Sequence, residues 1–419
     1  MKFHKTIFAS LLLSSAALVQ AEITWFEPSA ADIRPLSLEA NTRSIPASLH
    51  HETSPIHFAW SPAQATEGRR PAAGPTEQLH EGALAESRAF WMDVTGADLA
   101  RGITLPLSAP GAVIRISALD ASSRVSLTAE NLQLRLNGRN PRADFGPDQI
   151  TTGQNMRDQG MRVPSNTLAF RLPEQSGQGQ LNVQIANLPG DQALVIHVHE
   201  PNSPAIARLA LPRHNFLSGE AIQFDLDLGQ GRNAMTAHSI QAVLSSPDAR
   251  ETWPIQVARD GSLQITQAPI ASRGAVGQGL YEAHVYVEGS FQGQTIRRDL
   301  TLAFNIAPAT ARFTGQATRN QRSAGLGLDL GIETAAPGRY QVNAEILGTN
   351  ARGQLEVLGY IQSAAVLSSG RGQLSLEIEP GLLRSSGLTA PFEIRNLQLL
   401  DQGRMSLVEH RARAMRISQ

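Results

Sequence analysis

The chain has 419 residues, of which 41% are hydrophobic, 17% charged and 5% aromatic, a length that predicts about two to three domains. The absence of cysteine excludes disulfides, thiol nucleophiles, iron–sulfur clusters and cysteine-based zinc sites. A formal net charge of −1 provides no single-sign field, which argues against nucleic acid as a partner.

Met1–Ala21 reads as a secretory signal peptide. Lys2 and Lys5 supply its positive start, an apolar stretch begins at Ile7–Leu13, and Val19-Gln20-Ala21 is a small-x-small cleavage site before Glu22. The apolar stretch is too short to span a bilayer, so a periplasmic or secreted protein without a transmembrane anchor is expected. These are the only two lysines. Cleavage after Ala21 therefore leaves a chain whose basic charge is all arginine, without Schiff-base or Ser–Lys chemistry.

Residues 22–88 are rich in proline and weakly periodic, which blocks long helices and central strands. An extended arm packing on a later domain is expected there, with Pro62–Pro75 a mobile loop. Within 22–200 the arm is followed by short alternating runs: Phe90–Val94, Ile103–Leu107, Ala112–Ile116, Arg124–Thr128, Leu132–Leu136, Thr167–Leu172, Leu181–Ile185 and Ala193–His199. Asn137–Val163 reads as a long polar loop and Glu200–Pro204 as a linker.

A second unit, 205–307, carries about seven strand-like runs. In Ala221–Leu228, Gln223, Asp225 and Asp227 alternate with Ile222, Phe224, Leu226 and Leu228, the signature of a half-buried strand. A third unit, 308–419, repeats the pattern: Leu326, Leu328, Leu330 and Ile332 alternate strictly, as do Tyr340, Val342, Ala344 and Ile346. The fold class expected is all-β: tandem β-sandwiches of immunoglobulin-like type behind a signal peptide.

Trp91 with Asp93-Val94-Thr95, Ala109-Pro110-Gly111-Ala112-Val113-Ile114-Arg115, Gly279-Leu280-Tyr281-Glu282 and Ala390-Pro391-Phe392-Glu393-Ile394 together resemble a family of uncharacterised secreted bacterial proteins, a domain of unknown function. The resemblance implies a three-part all-β architecture with an immunoglobulin-like middle domain, and brings no catalytic residues.

Neither a Gly-x-Ser-x-Gly elbow, nor His-Glu-x-x-His, nor a phosphate-binding glycine loop occurs, and no cofactor is expected. His197 and His199 lie two apart on a predicted strand and so share a face. With Glu200 they form the candidate metal site for Zn²⁺ or Cu²⁺. The alternative is a solvent-facing strand end. His50, His51 and His57 form a second histidine patch. Asp225 and Asp227 read as an exposed strand face rather than a calcium loop, and Glu282 with His284 as polar alternation rather than an acid–base pair. Arg411, Arg413 and Arg416, with Arg297 and Arg298, form the candidate ligand or partner surface for an anionic glycan or phosphate, against the alternative of solvated strands. Arg69-Arg70 is a candidate protease-sensitive site.

The expectation is an exported, non-catalytic binding or structural protein of the bacterial envelope or exterior, with a protein or glycan of the cell envelope as partner. An accessory carbohydrate-binding protein and a metal-assisted hydrolase are the alternatives.

Overall fold

A computed structural model describes residues 22–29, 32–40, 56–60, 82–120, 122–123, 125–146, 149–269, 279–320 and 325–418. Met1–Ala21, Pro62–Pro75, Arg69-Arg70, His50 and His51 lie outside the described residues, as does the side chain of His57. The protein is nearly all β. Among the described residues no helix is long and apolar enough to cross a membrane. The chain divides into two compact units, one formed by Met1–Pro71 with Ala309–Gln419 and one by Ala72–Pro308. The first two strands, β1 (Ile23–Trp25) and β2 (Ile56–Trp60), belong to the former.

The Ala72–Pro308 unit holds two sandwiches. After β3 (Ala83–Ser87), the first is built from β4 (Ala89–Thr95), β5 (Ile103–Leu107), β6 (Val113–Ala118), β7 (Leu132–Leu136), β8 (Ile150–Thr152), β9 (Thr167–Arg171), β10 (Gly179–Ile185) and β11 (Ala193–His199). Its sheets run β5-β10-β7 and β4-β11-β6-β9-β8. Alternate residues of both, such as Leu105, Leu134, Val183, Ile114, Leu168 and Ile196, close one core. Two expectations need correction. Residues 125–128 form no strand, and the polar stretch 137–163 contains β8 and the short helix Gly153–Asp158. Thr152 caps that helix, as Thr95 caps Gly96–Arg101 through a capping box with Asp98. Each helix is too short to show a hydrophobic period in sequence.

The middle sandwich comprises β12 (Ala207–Leu211), β13 (Asn215–Leu217), β14 (Ile222–Asp227), β15 (Thr236–Ser245), β16 (Thr252–Pro254), β17 (Gln256–Val257), β18 (Leu263–Ile265), β19 (Tyr281–Phe291) and β20 (Gln294–Ala307). Its sheets are β17-β18-β14-β12-β3 and β13-β20-β19-β15-β16. β3 pairs with β12 and Ala83 joins this core, whereas β4, one residue later, joins the first sandwich.

In the other unit, β21 (Ala311–Arg319), β22 (Leu326–Thr334) and β25 (Gly370–Ile378) form one sheet. The second contains β23 (Gly338–Thr349), β24 (Leu355–Leu367), β26 (Thr389–Asp401) and β27 (Ser406–Ile417), in the order β1-β27-β26-β23-β24-β2. Leu328, Leu330 and Ile332 face Val342, Ile346, Ile394 and Leu399 across the core. β1 runs antiparallel to the chain's last strand, Ile23 opposite Ile417 and Trp25 opposite Met415.

Candidate functional site

Strand alternation decides where the proposed ligands go. His197 and His199 share one face of β11. Glu200 follows at an odd offset and turns away from them. The His197 ring stacks on Trp91 of the neighbouring strand, centroids 6.5 Å apart. Burial, then Arg115 and His199, hold its imidazole below the ordinary value. His199 is exposed. Among the described residues no group of three or more histidines and acids is placed to hold a metal ion.

Glu200 is instead the centre of a buried junction between the two sandwiches of its unit. Its carboxylate accepts the backbone N–H groups of Ser108 and Ala109, the Ser108 hydroxyl, and the Arg298 guanidinium at 2.8 Å. Both charged side chains are 0% exposed. Arg298 also donates to the Ala205 carbonyl at 2.9 Å and to the Ser203 hydroxyl at 2.8 Å. Burial pulls the guanidinium below its usual range, opposed by Glu200. Such a pair is tolerable in a dry interior only when its remaining donors and acceptors are satisfied. Next to it, Asp299 accepts the Trp91 backbone N–H at 2.7 Å, and burial pushes its carboxyl up to about 6. Trp91 meets Tyr286 edge-on at 6.0 Å. Arg298 is thus a cross-link, not a ligand surface. Arg297, one residue earlier and on the opposite face, pairs with Glu288 at 3.0 Å.

The terminal arginines separate in the same way. Arg411 is buried and holds the arm: it bonds Asp32 at 3.1 Å and the Phe26 carbonyl at 2.9 Å. Asp32 also accepts the Ala412 N–H at 2.8 Å, and Ile33 exchanges two backbone hydrogen bonds with His410. Glu409, flanked by Arg411, is pushed up to about 7 by burial, against the Phe313 N–H and Arg411. Arg413 lies 3.8 Å over the Phe26 ring and pairs with Glu393 at 3.0 Å. Against its burial, Arg413 and Arg395 hold the Glu393 carboxyl below its usual range. Arg416 is exposed. Of the five predicted surface arginines, Arg297, Arg413 and Arg416 reach solvent, whereas Arg298 and Arg411 are interior clamps.

Glu282 and His284 approach to 3.4 Å, and His284 lies 3.3 Å from the Thr301 hydroxyl. The group sits on the open outer face of β19 and β20.

A concave site lies elsewhere, on the flank of the middle sandwich where β14 and β15 diverge. It is a groove of about 980 Å³, with Leu226, Leu228 and Ile240 among its apolar lining residues and Asp225, His238, Arg259 and Asp260 among its polar ones. β14 pairs with β18 only as far as Phe224, and β15 pairs with β16 only over Val243–Ser245. Both sheets therefore end in an open stretch of strand beside the groove. Sequence reasoning identified β14 and its exposed aspartates but missed the groove. The long offset between the partners of β15 on its two sides is a property of register.

Fold and site geometry define a multi-domain all-β protein with charged pairs buried as cross-links and one open strand flank. Family models described as the N-terminal and C-terminal domains of a domain of unknown function (DUF4785) match residues 47–200 and 310–418, more than half of the chain between them. The chain belongs to this family. A crystal structure of a DUF4785 family protein from Legionella pneumophila superposes with a TM-score of 0.69 at 14% identity, covering 91% of this chain and 98% of that one, which shows the shared fold. A second solved structure, titled pT26-6p, aligns with a TM-score of 0.17 at 10% identity over 52% of this chain and 63% of its own, too remote to carry an argument. No curated protein matches the chain.

Proposed function

We propose that the protein is an exported, non-catalytic binding protein of the bacterial envelope or exterior, recognising a protein partner through its β-sandwich surfaces. The observation that carries this reading is the open flank of the middle sandwich. It combines a groove with strand edges that are unpaired among the described residues, whereas the side chains with the strongest chemistry, Glu200, Arg298 and Arg411, form internal cross-links. Export is supported by the signal-like first 21 residues. It also fits the start of β1: the Ser418 N–H bonds the Glu22 carbonyl at 2.9 Å, so cleavage after Ala21 keeps the β1–β27 ladder whole.

The test is affinity capture by the chain beginning at Glu22 from an envelope extract of its own host. A saturable, stoichiometric partner that untagged protein displaces is expected, and a capture that never saturates counts against the reading. N-terminal sequencing of the exported protein should begin at Glu22.

A second reading, an accessory carbohydrate-binding protein, is favoured by Trp91. This half-buried ring lies outside the hydrophobic cores, beside His197 and Tyr286. Oligosaccharide binding that Trp91→Ala abolishes without change in thermal stability would support it.

A further inference from the structure

We propose that the open flank of the middle sandwich receives an extended segment of a partner protein, added as a strand along β15, with a basic side chain of that segment set against Asp225. This rests on the binding reading above and names the chemistry of the partner.

The first argument is the direction of the main chain. The Ile255 N–H donates to the Ala242 carbonyl at 3.0 Å, so Ala242 turns its peptide groups away from β19. Strand geometry repeats every two residues, so Ile240 presents its N–H and C=O to the same side. No strand among the described residues pairs with β15 there, because the β16 pairing ends at Val243 and β17 turns away to pair with β18. An unpaired row of donors and acceptors is satisfied by another extended chain.

The second argument is that, apart from one bulge between Ala237 and Ser239, this edge is not blunted. Folded proteins protect sheet edges with charge, proline, a bulge or a covering segment. The edge of β4 is stopped at Trp91 by Asp299, β5 carries Pro106, β3 carries Glu86, and β27 is covered by β1. Thr236–Gln241 reads Thr-Ala-His-Ser-Ile-Gln, without Asp, Glu, Lys, Arg or proline. The bulge between Ala237 and Ser239 limits the pairing to a short stretch, which suits a reversible contact.

The third argument is the lining. Side chains of an added strand alternate, one row into the groove and one to its rim. Leu226, Leu228 and Ile240 provide an apolar floor. At the rim two carboxylates, Asp225 and Asp260, stand against one guanidinium, Arg259. Ser262 holds the Asp260 carboxyl below its usual range. Asp225 is exposed and forms no ion pair among the described residues. The complementary segment alternates apolar residues with at least one Lys or Arg. A concave floor with main-chain groups at its edge admits one narrow extended chain and not a flat surface.

The test uses the full chain from Glu22 and an array of twelve-residue peptides, apolar at alternate positions with Lys or Arg at one intervening position. A saturable binder is expected. N-methylation of the amides on one edge of that peptide should weaken binding about tenfold or more, the loss of one or two hydrogen bonds, and on the other edge leave it unchanged. Asp225→Lys and Ile240→Pro should each weaken it about tenfold, the latter by removing the outward N–H. Asp225 is exposed, so its variant keeps the wild-type melting temperature and isolates the charge contact. No saturable peptide, or a binder indifferent to N-methylation on both edges, overturns the proposal. So does a protein that sediments as a dimer which Asp225→Lys dissociates, since the flank then belongs to a second copy. An envelope partner retained by both variants sinks this proposal while the binding reading stands. No captured partner and no peptide sinks both.

Discussion

β27 and β15 each border the end of a sheet, and the chain treats them in opposite ways. Beside β27 lies β1, then Ile33 bridging His410, with Asp32 closing the gap onto Arg411 and the Ala412 N–H. The arm is long, and its clamp is a buried charge pair. Beside β15 from Thr236 to Gln241 no further strand pairs among the described residues, and the edge holds no Asp, Glu, Lys or Arg. The contrast separates two uses of polarity. Charge taken out of water is committed to one partner, because separating the pair strands a buried ion. Main-chain groups left neutral and wet remain available to another chain. In this protein the conspicuous charged residues mark what is closed, and the bland strand marks what is open.

The largest effect expected comes from breaking the most buried clamp. Arg298→Ala leaves Glu200 ionised in a dry site and should cost about 3–5 kcal/mol, read by calorimetry as a lowered transition for the Ala72–Pro308 unit. Arg411→Ala should cost about 2–3 kcal/mol, since the arm retains its β1 ladder, and should free the Ala412 and Ile33 amides to exchange.

A smaller effect is a pH dependence. The folded Asp299 carboxyl lies at about 6, above the ordinary 3.8, so the fold prefers its neutral form. Its contribution is complete below the unfolded value and is lost as pH rises through about 6. The stability of Asp299→Asn relative to wild type should therefore climb between about pH 4 and 6 and level off above about pH 7, on the order of 2–3 kcal/mol in all. A flat difference would show that the carboxyl titrates normally. Glu409, at about 7, should give Glu409→Gln the same sign over a window about one unit higher.

Much of the fold was legible because alternation is local. Ile103–Leu107, Leu132–Leu136 and Ala193–His199 are strands with the bounds their sequence predicts. The period of two that places His197 and His199 on one face also puts Glu200 on the other, a signal already present in the sequence. The partners were not legible. Arg298 meets Glu200 98 residues away and Arg411 meets Asp32 379 residues away, so in sequence each reads as a candidate ligand-surface arginine or a solvated one, not as an interior clamp. Arg411 and Arg413 share a face by spacing, yet the arm covers one and leaves the other 55% exposed. The open flank escaped notice for the converse reason: an absent neighbour leaves no mark in a run such as Thr-Ala-His-Ser-Ile-Gln.

Amide hydrogen exchange on the full chain tests the contrast between the two edges most directly. The account predicts rapid exchange at Ile240, whose N–H faces the open flank, with strong protection at Ile33, His410 and Ala412 in the same sample. Protection of Ile240 equal to that of Ala412 would mean that the β15 edge is already covered, and would contradict the assignment of this flank as the recognition surface.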